Sequence, residues 1–136
     1  MIKELRVGNH LLYTITRKVR RVEAYDLVVS DEAIITFNDL YKGIPLTKGL
    51  LLDHGFQEWA GGLFIDLDIN KLEFIQSYDL WYPLISQPPE MSSDTEQRIS
   101  LRSIKYYHQL ENLYHILTGN ELEHLNPLLQ WKKHIK

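Results

Sequence analysis

The sequence predicts an α+β fold: a small antiparallel β-barrel at the N-terminus, SH3-like in general plan, followed by a small antiparallel sheet packed by a C-terminal amphipathic helix. Three observations lead there. Short Val-, Ile-, Tyr- and Thr-rich runs recur through residues 5–37 with polar breaks between them. A strictly alternating strand occupies 63–70, and a helical stripe of apolar residues occupies 105–118. Period two marks a half-buried strand, and period 3.6 marks a helix with one buried side.

In the first lobe, residues 1–46, the Gly8-Asn9 pair marks a tight turn or bulge. Leu11, Tyr13 and Ile15 then alternate with Leu12, Thr14 and Thr16. Val19-Arg20-Arg21-Val22, Leu27-Val28-Val29 and Ala33-Ile34-Ile35-Thr36-Phe37 follow at the spacing of a meander. That spacing suggests closure into a small barrel.

The second lobe, residues 47–136, opens with a short helix capped by Thr47, with Pro45 just outside it and Leu50-Leu51 reaching into the core. Gly55-Phe56 stops it, glycine taking the left-handed position. After Gly61-Gly62, residues Leu63, Ile65, Leu67 and Ile69 face one way and Phe64, Asp66, Asp68 and Asn70 the other. Segments 72–77, 80–85 and 99–104 extend the sheet, and the aperiodic, proline-containing stretch 86–97 reads as a loop. On the helix, Tyr106, Tyr107, Leu110, Leu113, Tyr114 and Leu117 fall in one arc of about 120°, and Gly119 ends it. Leu63, Ile65, Leu67 and Ile69 are the expected partner surface of that helix, and the two lobes are expected to form one compact unit. Asn126-Pro127 begins a last turn and a basic tail.

Composition narrows the function classes. The chain has 136 residues, no cysteine and a net charge of −3. Without thiols there is no disulfide framework, thiolate metal site or cysteine nucleophile, and a reducing compartment suits such a chain. The first residues lack the apolar core of about 7–15 residues found in signal peptides. No apolar run approaches the ~18 residues of a membrane span. The reading is a cytoplasmic protein with no membrane partner.

Charge is uneven, with a local excess of three basic groups in residues 1–30. Arg17, Lys18, Arg20 and Arg21, beside Tyr13 and Tyr25, form a candidate phosphate-binding strip with aromatics for stacking. Charged residues on a hairpin also guard sheet edges, and the acidic whole argues against a general nucleic-acid coat.

Catalytic motifs are absent: no phosphate-cradling glycine loop, no Gly-x-Ser-x-Gly elbow. His108, Glu111 and His115 share one side of the helix and form a weak metal-ligand set. Their spacing is not that of a zinc protease, and the polar side of any amphipathic helix collects such residues, so a solvated face is the plainer reading. Asp66 and Asp68 make a second weak pair. A calcium-loop reading of that segment fails at Lys71 and Ser77, where glycine and glutamate are required.

Leu5-Arg6-Val7-Gly8-Asn9, Ile44-Pro45-Leu46-Thr47 with Leu51 and Gly55-Phe56, and His108-Gln109-Leu110-x-Asn112-Leu113-Tyr114-x-x-Leu117-Thr118-Gly119-x-Glu121-Leu122 together resemble a group of short uncharacterised bacterial and phage or prophage proteins. The resemblance spans most of 5–122, leaves 126–136 outside, and implies a bacterial or prophage intracellular setting with no activity attached. The expectation is a small non-catalytic protein without a cofactor, acting through a protein partner or as a homodimer, with Trp81 and Tyr82 as candidate contact aromatics. The alternative is nucleic-acid binding by the basic hairpin.

Overall fold

The computed structural model describes residues 5–23, 41–67, 70–87 and 97–135. The strands expected at 27–29 and 33–37, Tyr25, Asp68, Ile69 and most of the 86–97 loop lie outside them. The fold is α+β with two antiparallel sheets, and the chain divides into two compact units: 1–47 with 106–136, and 48–105.

In the first unit, β1 (His10–Tyr13) lies between β2 (Lys18–Arg21) and β3 (Tyr41–Lys42). Arg6 and Asn9 close the turn before β1. The Arg6 N–H donates to Asn9 Oδ1 at 2.7 Å, the Asn9 N–H donates back to Arg6 O at 3.1 Å, and Gly8 takes φ +97°. Leu11, Val22 and Tyr41 form a small buried cluster with Leu5 and Tyr13 packed against it.

The barrel expectation is corrected here: among the described residues no sheet closes. The apparent long strand 11–16 is interrupted after Tyr13. The Arg17 N–H bonds Tyr13 O at 2.8 Å, Arg17 takes φ +57°, and Tyr13 pairs with Lys18, so 14–17 are a hairpin loop. Strands of four, four and two residues with the order β2-β1-β3 leave two edges.

The second unit starts with α1 (Lys48–Asp53). Its exit is as the Gly-Phe pair predicts: Gly55 at φ +92° donates to Leu52 O at 3.0 Å, and Phe56 N–H reaches Leu51 O at 3.1 Å. Five strands follow in chain order, β4 (Gln57–Trp59), β5 (Gly62–Leu67), β6 (Asn70–Ser77), β7 (Leu80–Gln87) and β8 (Gln97–Ser100), each antiparallel to the next. Register decides the faces. Leu63 opposite Phe74, Leu72 opposite Ile85 and Phe74 opposite Pro83 place these side chains together on the buried face. Phe74 contacts Phe56 and Trp81, with ring centroids 5.8 and 6.3 Å away.

The long helix α2 (Tyr107–Thr118) is the second correction. It belongs to the first unit, not to the sheet containing 63–70. The Tyr107 N–H donates to Ile44 O at 2.7 Å, and Pro45 bridges Tyr106, so the helix starts on the segment after β3. Gln109 Oε1 accepts from the Tyr106 N–H at 3.0 Å, and Gly119 at φ +75° closes the far end. The buried residues are Tyr107, His108, Leu110, Glu111 and Tyr114, while Leu113 and Leu117 are half-buried. The buried arc is thus turned from the apolar stripe toward the polar side. A 3-10 turn, Leu122–Leu125, buries Leu122, and another, Trp131–Lys133, follows. No described helix is long and apolar enough to cross a membrane.

Candidate functional site

The reason for the rotated helix lies near the other end of the chain. Glu111 is 1% exposed, a costly position for a carboxylate unless it is hydrogen-bonded. Both of its oxygens meet His10: the backbone N–H donates to Oε1 at 2.7 Å, and ring Nδ1 lies 2.7 Å from Oε2. Around this pair, Asn9 Nδ2 donates to Asn112 Oδ1 at 2.8 Å, and the Arg6 guanidinium forks onto Glu121 at 3.0 and 2.9 Å. Burial raises the Glu111 carboxyl above its ordinary range despite the opposing pull of His10 and Arg6. The Arg6 hydrogen bonds hold the Glu121 carboxyl below its ordinary range.

His10 Nε2 faces Glu123 at 3.5 Å, and its ring lies 6.0 Å from Trp131 in a stacked arrangement. The Tyr107 ring meets Trp131 edge-on at 4.8 Å, and burial, with the negative charges of Glu111 and Glu123, pushes its phenol pKa up. The cavity here, 60 Å³ lined by His10, Tyr107, Glu123 and Trp131 among others, is of water size. His10 is thus held through its backbone N–H and ring Nδ1 by Glu111, with Glu123 farther off at Nε2. The cluster acts as a clamp holding residues 6–10 on α2.

The weak metal set does not converge. His108 is buried and stacks on Tyr106 at 5.8 Å, Glu111 is engaged with His10, and His115 sits 3.6 Å from Glu121. Among the described residues no group of three or more His, Asp or Glu could hold a metal ion. Asp66 is exposed opposite Lys71. The solvated-face reading of His108 and Glu111 is overturned, since both are buried.

The basic strip lies on the β1–β2 hairpin, where Arg20 and Arg21 are held by neighbouring side chains. The Arg20 guanidinium lies over Tyr13 at 4.7 Å and Tyr41 at 5.8 Å, and Arg21 pairs with Glu123 at 3.4 Å. Arg17 and Lys18 are exposed. Of the rings expected to stack a base, Tyr13 carries the Arg20 guanidinium, and Tyr25 lies outside the described residues.

Trp81 is 2% exposed and belongs to the core; Tyr82, the next residue on the strand, is 42% exposed on the other face. That open face carries a surface the sequence reading missed. Trp59 pairs with Gly62, and Ile75 with Tyr82, so that an apolar row crosses β4, β5, β6 and β7. Trp59 is 61% and Ile75 47% exposed. The next row holds Phe64 and Leu84, both half-buried, with Glu73 between them. Arg98 lies 3.8 Å from Glu73, and Lys71 Nζ sits 4.8 Å above the Phe64 ring. Gly62 leaves a hollow of 210 Å³ lined by Trp59, Phe64, Ile75 and Arg98 among others.

No protein-family model, curated protein or solved structure matches the chain.

Proposed function

We propose that the chain is a non-catalytic binding protein that acts through a protein partner seated on the open face of the second sheet. The observation that carries this reading is the single row of exposed Trp59, Ile75 and Tyr82 across three strands. Tryptophan and tyrosine dominate interface energetics because each desolvates a large rigid surface at small entropic cost. The flanking Arg98–Glu73 pair and Lys71 supply the polar rim such a patch needs. Rigid strands, not loops, position all three anchors. The absence of cysteine and of a membrane-length described helix supports a cytoplasmic setting, in keeping with the bacterial and prophage group the sequence resembles.

A displayed random-peptide library selected on the intact protein tests the reading. Enrichment of peptides that bind the wild type and lose at least tenfold in affinity for an Ile75→Asp, Tyr82→Ala double variant is the expected result. Peptides that bind both proteins alike would show that the row is not a docking surface. Light scattering on the same pair reports whether the partner is a second copy, through a dimer mass that the variant loses.

A further inference from the structure

The apolar row of the open face is unfinished at one side. Its exposure climbs from Tyr82 on β7 (42%) through Ile75 on β6 (47%) to Trp59 on β4 (61%), and β4 is the outer strand of its sheet. We propose that the partner is an extended peptide segment that adds to β4 as a further strand and lays an apolar side chain beside Trp59. The inference rests on the open-face reading and names the form its partner takes.

Backbone geometry is the first argument. Trp59 and Gly62 close a two-residue turn, Ala60-Gly61, whose φ values of +46° and +86° are the positive pair a tight hairpin requires, so they exchange backbone hydrogen bonds. Bonding alternates along an antiparallel pair, which makes Glu58 and Leu63 the pair without mutual bonds. The Glu58 N–H and C=O therefore point away from β5, out of the sheet. Among the described residues no strand meets them there, and all three residues of β4 are exposed. The free stretch has defined ends: the Phe56 N–H donates to Leu51 O at 3.1 Å, and the chain turns at Ala60. An outward main-chain donor and acceptor on one residue match another main chain, and strand addition is the recurring way to satisfy them.

Charge and side-chain alternation are the second argument. Exposed edges are commonly guarded by charged residues. The charge on β4 is that of Glu58, which lies 2.8 Å from Lys48 Nζ and alternates to the face opposite Trp59. Gln57 and Trp59, on the open face, are uncharged. In antiparallel addition the peptide residue paired with Glu58 exchanges both backbone bonds, and its two neighbours stand opposite Gln57 and Trp59. The segment that fits has an apolar residue opposite Trp59, a hydrogen-bonding one opposite Gln57, and no proline at the paired position. The edge sets its register, and the Trp59 row supplies the buried area.

The tightest peptide from the displayed library, synthesised with one N-methyl group at each position in turn, is titrated calorimetrically against the full chain. Strand addition predicts a loss of about tenfold or more where the methyl group replaces the hydrogen bonded to Glu58 O, and little change at the two neighbouring positions, whose N–H groups face away from β4. Glu58→Pro removes the outward N–H without removing a β4–β5 bond and should weaken binding by a similar factor, while Glu58→Ala keeps wild-type affinity. The methylation scan needs no variant protein, so it decides even where Glu58→Pro fails to fold. A flat scan, or losses at every third or fourth position as for a helical peptide, would overturn strand addition while leaving the docking face intact if the Ile75→Asp, Tyr82→Ala variant still loses affinity. An alternating scan with no effect of that double variant would keep the strand on β4 and remove the row from its binding. A library that yields no binder overturns both readings.

Discussion

Replacing Glu111 offers the most direct test of the clamp between residues 6–10 and α2. In Glu111→Leu the His10 backbone N–H and ring Nδ1 both lose their partner, each now within 2.7 Å of a carboxylate oxygen. A buried polar group left unmade costs about 1–3 kcal/mol, and the variant also escapes the desolvation of a carboxylate, so the net loss should be about 2–4 kcal/mol. For a chain of this length that is a fall in melting temperature of roughly 6–16 °C. Glu111→Gln keeps an acceptor for the backbone N–H and a hydrogen-bonding amide against ring Nδ1, so its loss should stay below about 1 kcal/mol. The two variants also differ with pH. Because burial raises the folded-state carboxyl above its unfolded value, the folded protein binds the extra proton more tightly. Its contribution is therefore full below the ordinary glutamate range and declines as pH rises through the raised value. Glu111→Gln should flatten that decline. Urea unfolding at pH 4 to 8 measures both effects. A Leu variant within 0.5 kcal/mol of wild type, by the ~1 kcal/mol scale of one hydrogen bond, would refute the clamp.

Other outcomes follow from the same structure. Arg6→Ala should destabilise by about 1 kcal/mol, the scale of a partly exposed bidentate pair, and lessen the acid sensitivity that comes from the depressed Glu121 carboxyl, whose stabilising effect is lost as pH falls through its folded value. Gly62→Ala should cost roughly 1–3 kcal/mol in a thermal melt, because its methyl group would lie 2.8 Å from a backbone oxygen that cannot swing aside. Leu110→Asp, at a fully buried site, should abolish soluble expression, whereas Leu113→Asp, half-buried, should yield folded but weakened protein; the reverse order would show the helix rotation to be wrong. With Arg20 and Arg21 engaged, gel retardation of DNA or RNA by the hairpin should be weak even at low salt. A shift whose salt dependence falls by about one unit of slope on Lys18→Ala would reinstate the nucleic-acid reading.

Local signals were readable where one period dominated. Strands 62–67 and 70–77, the Gly55-Phe56 helix stop and the helix ending at Gly119 all follow from patterns within a dozen residues. That no described sheet closes was not, because the alternation through 11–16 looks like one long strand and only the left-handed Arg17 reveals a turn. The buried polar face of α2 was illegible for another reason: His10, which makes Glu111 tolerable, stands a hundred positions away. Trp81 was readable in principle, since Trp81, Pro83 and Ile85 share strand parity and Tyr82 falls on the other side. Trp59 also had a signal, the Ala-Gly pair that makes it the last residue before a two-residue turn.

The hydrogen bond from Tyr107 to Ile44 and the bridge between Pro45 and Tyr106 bring together two points of the chain that enclose residues 48–105. The enclosed sheet therefore finds all its strand partners within residues 57–100 and needs nothing from α2 to complete them. The first unit must wait: the side-chain contacts of Asn9 with Asn112, of His10 with Glu111 and of Arg6 with Glu121 cannot form until residues 111–121 emerge. Until then its short strands lie open, and the last quarter of the message decides whether the first quarter of the protein folds. A stalled or prematurely terminated chain would display a finished second unit on an unfinished base, so proteolysis of such chains should release a resistant fragment from the middle of the sequence and none from its beginning.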